Sequence, residues 1–121
     1  MHTTKKDFEL FKKEVGKWIT TLGLFSWDVT IQHNDELEDS YGSCQVNPTG
    51  RTACISLNIN WDDEEPTPHR VKLTAFHEVC ELLFFPYSLM AQERYANEEQ
   101  LIIERHTIIS TLERVIFNKG G

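Results

Sequence analysis

The chain has 121 residues, a formal net charge of −7, 40% hydrophobic residues and 26% charged residues, which is typical of one globular domain over residues 1–121. An acidic chain without a Lys/Arg stripe is a poor candidate for binding phosphates, so no nucleic-acid partner is expected. No apolar run approaches the roughly 20 residues of a membrane helix, no secretion signal is recognisable, and the three cysteines are an odd number. These features predict a cytoplasmic protein without membrane contact.

The first half of the chain predicts one helix followed by three strands. Apolar residues recur at three- and four-residue steps over residues 4–22, as in an amphipathic helix that Gly23 would end. Residues 27–33, 41–47 and 52–60 predict three strands, the last two forming a hairpin. In a three-residue loop, Pro48 suits a type I turn and Gly50 the left-handed residue after it. Cys44 and Cys54 would then lie opposite each other as half-buried thiols.

The second half of the chain predicts two helices. Thr67 is a candidate N-cap before Pro68 at the first helical position, and this helix should end before Pro86. A long last helix should cover residues 90–117. The expected fold is therefore α+β: an N-terminal helix, a three-stranded sheet with a hairpin, a motif-bearing helix and a long C-terminal helix.

The stretch TAFHEVCELLFF, residues 74–85, carries the clearest chemical pattern. It resembles the H-E-x-x-H helix of zinc proteases, with Glu81 at the last position. His77 and Glu81 are four residues apart, so their side chains share one helix face, and both are normal zinc ligands. Glu78 has the position of the general base in the protease motif. The pattern therefore keeps two candidate ligands and a candidate base.

A catalytic zinc needs a third protein ligand, and the last helix offers candidates. His106 falls between Ile102 and Ile109 on an apolar stripe expected to face the core, where a histidine needs a partner. Glu99 shares that face and is the reserve third ligand or a hydrogen-bond partner of a ligand. Glu104 should point toward solvent. The predicted metal ligands are His77, Glu81 and His106.

Other interpretations of these residues remain open. A single H-E-x-x-E pattern is common, and Cys80 is a small buried residue more often than a ligand. His77, Glu81 and His106 would, in a metal-free domain, form a buried hydrogen-bond network. A site with two nitrogens and one carboxylate would also accept iron, nickel or manganese in place of zinc.

The hairpin ending in ISLNINW, the helix TAFHEVCELL and the segment ERHTIISTLE together resemble small zincin-like metallopeptidases. The closest resemblance is to the minigluzincin type, especially short metalloproteins of tailed phages and prophages, which would place the protein in a host cytoplasm. The resemblance implies one zinc ion in a cleft between the last two helices. It also implies His77 as first ligand, Glu78 as base and Glu81 in place of the usual second histidine. The usual distal glutamate would fall near residues 99–106.

The sequence thus supports two functional hypotheses. The first is a zinc-dependent peptidase in which strand 52–60 aligns a peptide or protein substrate by backbone pairing. The alternative is a catalytically inactive zincin-like module that binds a metal or another protein.

Overall fold

The computed structural model describes residues 1–35, 40–62, 64–92 and 97–117. The elements in chain order are α1 (Lys5–Leu22), β1 (Asp28–Asn34), β2 (Gly42–Asn47), β3 (Thr52–Asn58), α2 (Pro68–Gln92) and α3 (Glu98–Phe117). This confirms the predicted α+β layout. The chain forms two compact units, Met1–Leu82 and Leu83–Gly121, and one domain over residues 1–121 stays a prediction. Within the described ranges, no helix combines the length and apolarity needed to cross a membrane.

Helix α1 ends at the predicted residue and begins one residue later than predicted, at Lys5. Thr4 is its N-cap: the Thr4 hydroxyl accepts a hydrogen bond from the Asp7 amide at 3.1 Å, and the Asp7 carboxylate accepts one from the Thr4 amide at 2.8 Å. This reciprocal capping box satisfies two amides that the first helical turn leaves unpaired. At the other end, Gly23 takes the left-handed conformation with φ 70° and donates to the carbonyls of Ile19 and Thr20.

Removing the capping hydroxyl should destabilise the fold measurably. We expect Thr4→Ala to lower the free energy of unfolding by about 1 kcal/mol, because the Asp7 amide loses its acceptor. Urea denaturation of both proteins measures this difference. Thr20→Ala, on the exposed part of the last turn of α1, is the control and should change the midpoint much less.

The sheet has the strand order β1-β3-β2, with β1 parallel and β2 antiparallel to β3. Strand β3 is therefore central, which explains why its side chains at Ala53, Ile55 and Leu57 are buried. The prediction that residues 52–60 align a substrate as a free edge is wrong, since both edges of β3 are already paired. Among the described strands, β2 is the edge strand that leads into the hairpin.

The β2–β3 hairpin is one residue longer than predicted. Asn47 pairs with Thr52, so the loop has four residues, and Arg51 at φ 55° takes the left-handed conformation instead of Gly50. The Asn47 side chain accepts hydrogen bonds from the Thr49 and Gly50 amides, at 3.1 and 3.3 Å, and so stabilises the longer turn.

This extra loop residue changes the strand register. Cys44 pairs with Ile55, whereas Cys54 pairs with Gln45. The prediction that the two cysteines face each other is therefore wrong. Because successive side chains of a strand point to opposite faces, the two thiols lie on different faces of the sheet. Cys44 shares the inner face with Ile55.

Helix α2 begins as predicted but extends farther. The Thr67 hydroxyl accepts a hydrogen bond from the Arg70 amide at 3.3 Å, and Pro68 is the first helical residue. The predicted end before Pro86 is wrong, because the helix continues to Gln92. An interior proline removes one backbone hydrogen bond and its ring crowds the carbonyl four residues before it, yet α2 continues through Pro86. The sequence predicts that the last helix starts at residue 90. Residues 90–92 instead belong to α2, and residues 93–96 lie outside the described residues.

The core of the first unit lies where α1, β3 and α2 bury their apolar faces. Helix α2 contributes four fully buried residues at steps of four, four and three, which is the period of a helix face. The fully buried side chains of this core are Phe11, Val15, Ile55, Leu57, Val71, Ala75, Val79 and Leu82.

Candidate metal centre

His77 and Glu81 converge on the outer face of α2, as the sequence predicts. They lie one helical turn apart, and His77 Nε2 is 3.4 Å from Glu81 Oε1. Their side chains are 68% and 59% exposed. The buried hydrogen-bond network considered for a metal-free domain is therefore wrong for these two residues. The pair lies at a surface that a cation in solution can reach.

The spacing of this pair fits two corners of a zinc site. Tetrahedral zinc binds nitrogen and oxygen ligands at about 2.0–2.1 Å, so its donor atoms lie about 3.3–3.4 Å apart. The observed separation of 3.4 Å between His77 Nε2 and Glu81 Oε1 matches that donor spacing. The same distance suits an ion pair when the imidazole is protonated.

Glu78 lies one step round the helix from His77 and lines a cleft between α2 and the start of β2. Glu78 is only 7% exposed. A Cβ added to Gly42 would lie 3.4 Å from Cγ of Glu78. The cleft has a volume of about 420 Å³. Its lining residues are Ser40, Tyr41, Gly42, Leu73, Thr74, His77 and Glu78. The candidate base and the first candidate ligand thus border one cavity.

Burial controls the acidity of Glu78. Removal from water raises its pKa above the ordinary value for a glutamate, the charge of His77 lowers it, and the charge of Glu81 raises it again. The net shift is upward. A carboxylate with a raised pKa holds a proton more readily near neutral pH, which is the property a general base requires.

Cys44 is a neighbour of the site that the sequence analysis did not assign to it. Burial raises the pKa of its thiol to about 12, with further contributions from the charges of Glu78, Glu81 and Cys54. Its thiol therefore stays protonated at neutral pH. Residues 42 and 44 lie on the same face of β2, because every second side chain of a strand points to the same side. This alternation is the sequence signal that could have placed Cys44 beside α2. Cys80 is half-buried, and burial also raises its pKa.

Backbone hydrogen bonds fix the β2 wall of the cleft. The Tyr41 carbonyl accepts from the Asn58 amide at 2.9 Å and from the Trp61 indole nitrogen at 3.2 Å. The Asn58 side chain donates to the Ser40 carbonyl at 2.6 Å. The Tyr41 and Trp61 rings pack with centroids 4.6 Å apart. Sequence reasoning missed these supports because they join residues 17 to 20 positions apart.

The predicted distal residues lie on α3, in the second unit. Ile108 is the buried residue of this helix, whereas His106 and Glu99 are exposed. Glu104 is half-buried. The predictions that His106 faces the core and that Glu104 faces solvent are therefore wrong.

A mixed distribution of apolar residues explains this error. Ile103, Ile109 and Ile116 of α3 are all exposed, so apolar residues occupy more than one side of the helix. Periodicity then supports two stripes equally well and cannot select the buried one.

Two of the three predicted ligands therefore come together in the first unit. Within residues 1–35, 40–62, 64–92 and 97–117, no group of three or more His, Cys, Asp or Glu side chains is arranged to hold a metal ion. His106 as third ligand, with Glu99 in reserve, stays a prediction.

Comparison of the chain with protein-family models, with curated proteins and with solved structures finds no match.

Proposed function

We propose that this chain is a zinc-dependent, zincin-like peptidase, with His77 and Glu81 as metal ligands and Glu78 as general base. The observation that carries the proposal is the 3.4 Å separation of His77 Nε2 and Glu81 Oε1, one residue from a buried glutamate that borders a cleft. The three positions follow the order of the protease motif.

Each residue has a defined task in this mechanism. Zinc, when bound, supplies Lewis-acid polarisation of a substrate carbonyl and lowers the pKa of water. His77 binds through the lone pair of a neutral imidazole, and Glu81 contributes negative charge. Glu78 accepts the proton of the attacking water and returns it to the leaving amine. The wall of the cleft at Tyr41–Gly42 leads into β2, so β2 replaces β3 as the strand proposed to align an extended peptide.

Zinc content tests the metal pair directly. We expect about one zinc per chain in protein made without a metal-binding tag, and much less in His77→Ala and Glu81→Ala. His69→Ala is the matched control, because His69 is an exposed histidine of the same helix and should leave zinc content unchanged. His106→Ala and Glu99→Ala test which distal residue completes the set.

Thermal stability provides a second measurement of metal binding. A ligand that binds only the folded state stabilises it by about 2.7 kcal/mol at 100 times its Kd. A chelator should therefore lower the melting temperature of the wild type and leave that of His77→Ala unchanged. Sub-stoichiometric zinc that does not respond to His77→Ala would contradict the proposal.

The inactive binding module is the second candidate. It is favoured by the ion-pair geometry of His77 and Glu81, which stabilises a helix surface without any metal. In that case Glu78→Gln has no effect on any activity, and the zinc measurements distinguish a metal-binding module from a metal-free one.

A further inference from the structure

Most lysines of this acidic chain lie on the outer side of α1. Lys5, Lys6, Lys12 and Lys13 are all exposed, and their spacing puts the two pairs on one helix face, seven residues apart. Gly16 is exposed on the same face, four residues after Lys12 and three after Lys13. We call this surface, Lys5, Lys6, Lys12, Lys13 and Gly16, the lysine face.

Charge is distributed unevenly between α1 and the rest of the chain. Helix α1 contains five of the 12 basic residues and three of the 19 acidic ones, so it carries +2 while the remaining chain carries −9. Of the three acidic residues, Asp7 serves in the N-terminal cap and Glu14 is buried. Glu9 is thus the single carboxylate exposed among the lysines of this face.

Among the described residues, the four lysines of the lysine face form no ion pairs. Lys17, at the border of this face, pairs with Glu14 at 3.9 Å and lies over the Trp18 ring. The mutual repulsion of the four lysines is therefore a cost to the isolated chain that an anionic partner would remove.

Gly16 is a second, independent sign of close approach from outside. A glycine in a helix interior is destabilising relative to alanine. A Cβ at Gly16 would have no atom within 4 Å, so no packing within the described chain requires glycine there. The missing side chain leaves open space one turn after Lys12 and Lys13, where a partner backbone can approach closely.

We propose that the lysine face of α1 is a docking surface for an acidic helical segment of another protein. Charge complementarity identifies the occupant. A nucleic acid or an anionic bilayer extends well beyond the face and would also meet the negative charge of the remaining chain, which totals −9. A single acidic helix matches the length of α1 and can pack against Gly16. This surface lies on α1, so it is independent of the proposed peptidase activity.

The test uses a labelled helical peptide with glutamates along one face, and the same peptide with glutamine at those positions. Fluorescence anisotropy should show binding of the glutamate peptide alone, weakening as salt is added. Lys12→Glu with Lys13→Glu should weaken binding by about tenfold or more. Lys72→Glu, which reverses an exposed lysine of α2, is the matched control and should change affinity much less.

Gly16→Ala separates docking from folding. Its added methyl group meets nothing in the free protein, so the melting temperature should rise, while affinity for the glutamate peptide should fall. Equal binding of both peptides, or equal loss from the Lys72 control, would overturn the proposal. Tighter binding to duplex DNA or to phosphatidylserine vesicles than to the glutamate peptide would also overturn it. So would self-association, measured by sedimentation, that the Lys12→Glu and Lys13→Glu substitutions remove.

Discussion

Glu78→Gln is expected to remove peptide turnover while leaving zinc bound. Glutamine cannot accept the proton of the attacking water, and loss of a general base costs about 10²–10⁴-fold in rate. Zinc content should stay at the wild-type value, because His77 and Glu81, not Glu78, form the 3.4 Å donor pair. Hydrolysis of a quenched fluorescent peptide library, measured beside zinc content on the same samples, tests both parts.

The same substitution should stabilise the metal-free fold at neutral pH. Burial raises the pKa of Glu78, so the folded state binds this proton more tightly than the unfolded state does. Stability associated with this group is present at low pH and is lost as pH rises from the unfolded value of 4.5 through the raised folded value. Glutamine carries no charge at any pH and avoids that loss.

Melting temperatures with chelator present measure this effect. Glu78→Gln should melt above the wild type at pH 7, and the difference should disappear below the unfolded pKa. Glu65→Gln, at an exposed glutamate before α2, is the matched control for the loss of one carboxylate. Unchanged turnover in Glu78→Gln would contradict the mechanism. Loss of zinc from Glu78→Gln would show that Glu78 is a ligand and not the base.

Local signals in the sequence predict the elements of this fold well. Thr4 and Gly23 bracket α1 because caps act within one helical turn. The pair His77 and Glu81 was predictable for the same reason, since a spacing of four residues determines which side chains meet on a helix. Such features depend on a few neighbouring residues and need no tertiary information.

Features that depend on competition between alternatives were not predictable. The hairpin loop gained Arg51 because the Asn47 side chain stabilises the longer turn, and that one residue changed the partner of Cys44. Pro86 did not end α2, although an interior proline removes one hydrogen bond and its ring crowds the preceding turn. His106 lay on the exposed side of α3, which carries apolar residues on several sides.

Gly42→Ala is expected to lower the free energy of unfolding more than Gly50→Ala does. A Cβ at position 42 would lie 2.8 Å from the backbone oxygen of Ser56 and 3.0 Å from Cγ2 of Thr74. The first contact is with backbone of the central strand, which cannot move without disturbing its hydrogen bonds. Overpacking of this kind costs about 1–3 kcal/mol, measured by urea denaturation with an unchanged m value.

Gly50→Ala is the matched control for this prediction. The nearest atom to its added Cβ would be 3.6 Å away, and Gly50 has no positive φ. Alanine there should be neutral or slightly stabilising, because it restricts the unfolded chain. Equal destabilisation by both substitutions would contradict the close packing of β2 on α2.

Gly42→Ala should also affect the two halves of the site differently. The added carbon would lie 3.4 Å from Glu78 Cγ, so strain at this position moves the proposed base. His77 and Glu81 lie on the exposed face of the helix and should keep their separation. Turnover should therefore fall by a larger factor than zinc affinity. The opposite order would place the metal pair, and not the base, against β2.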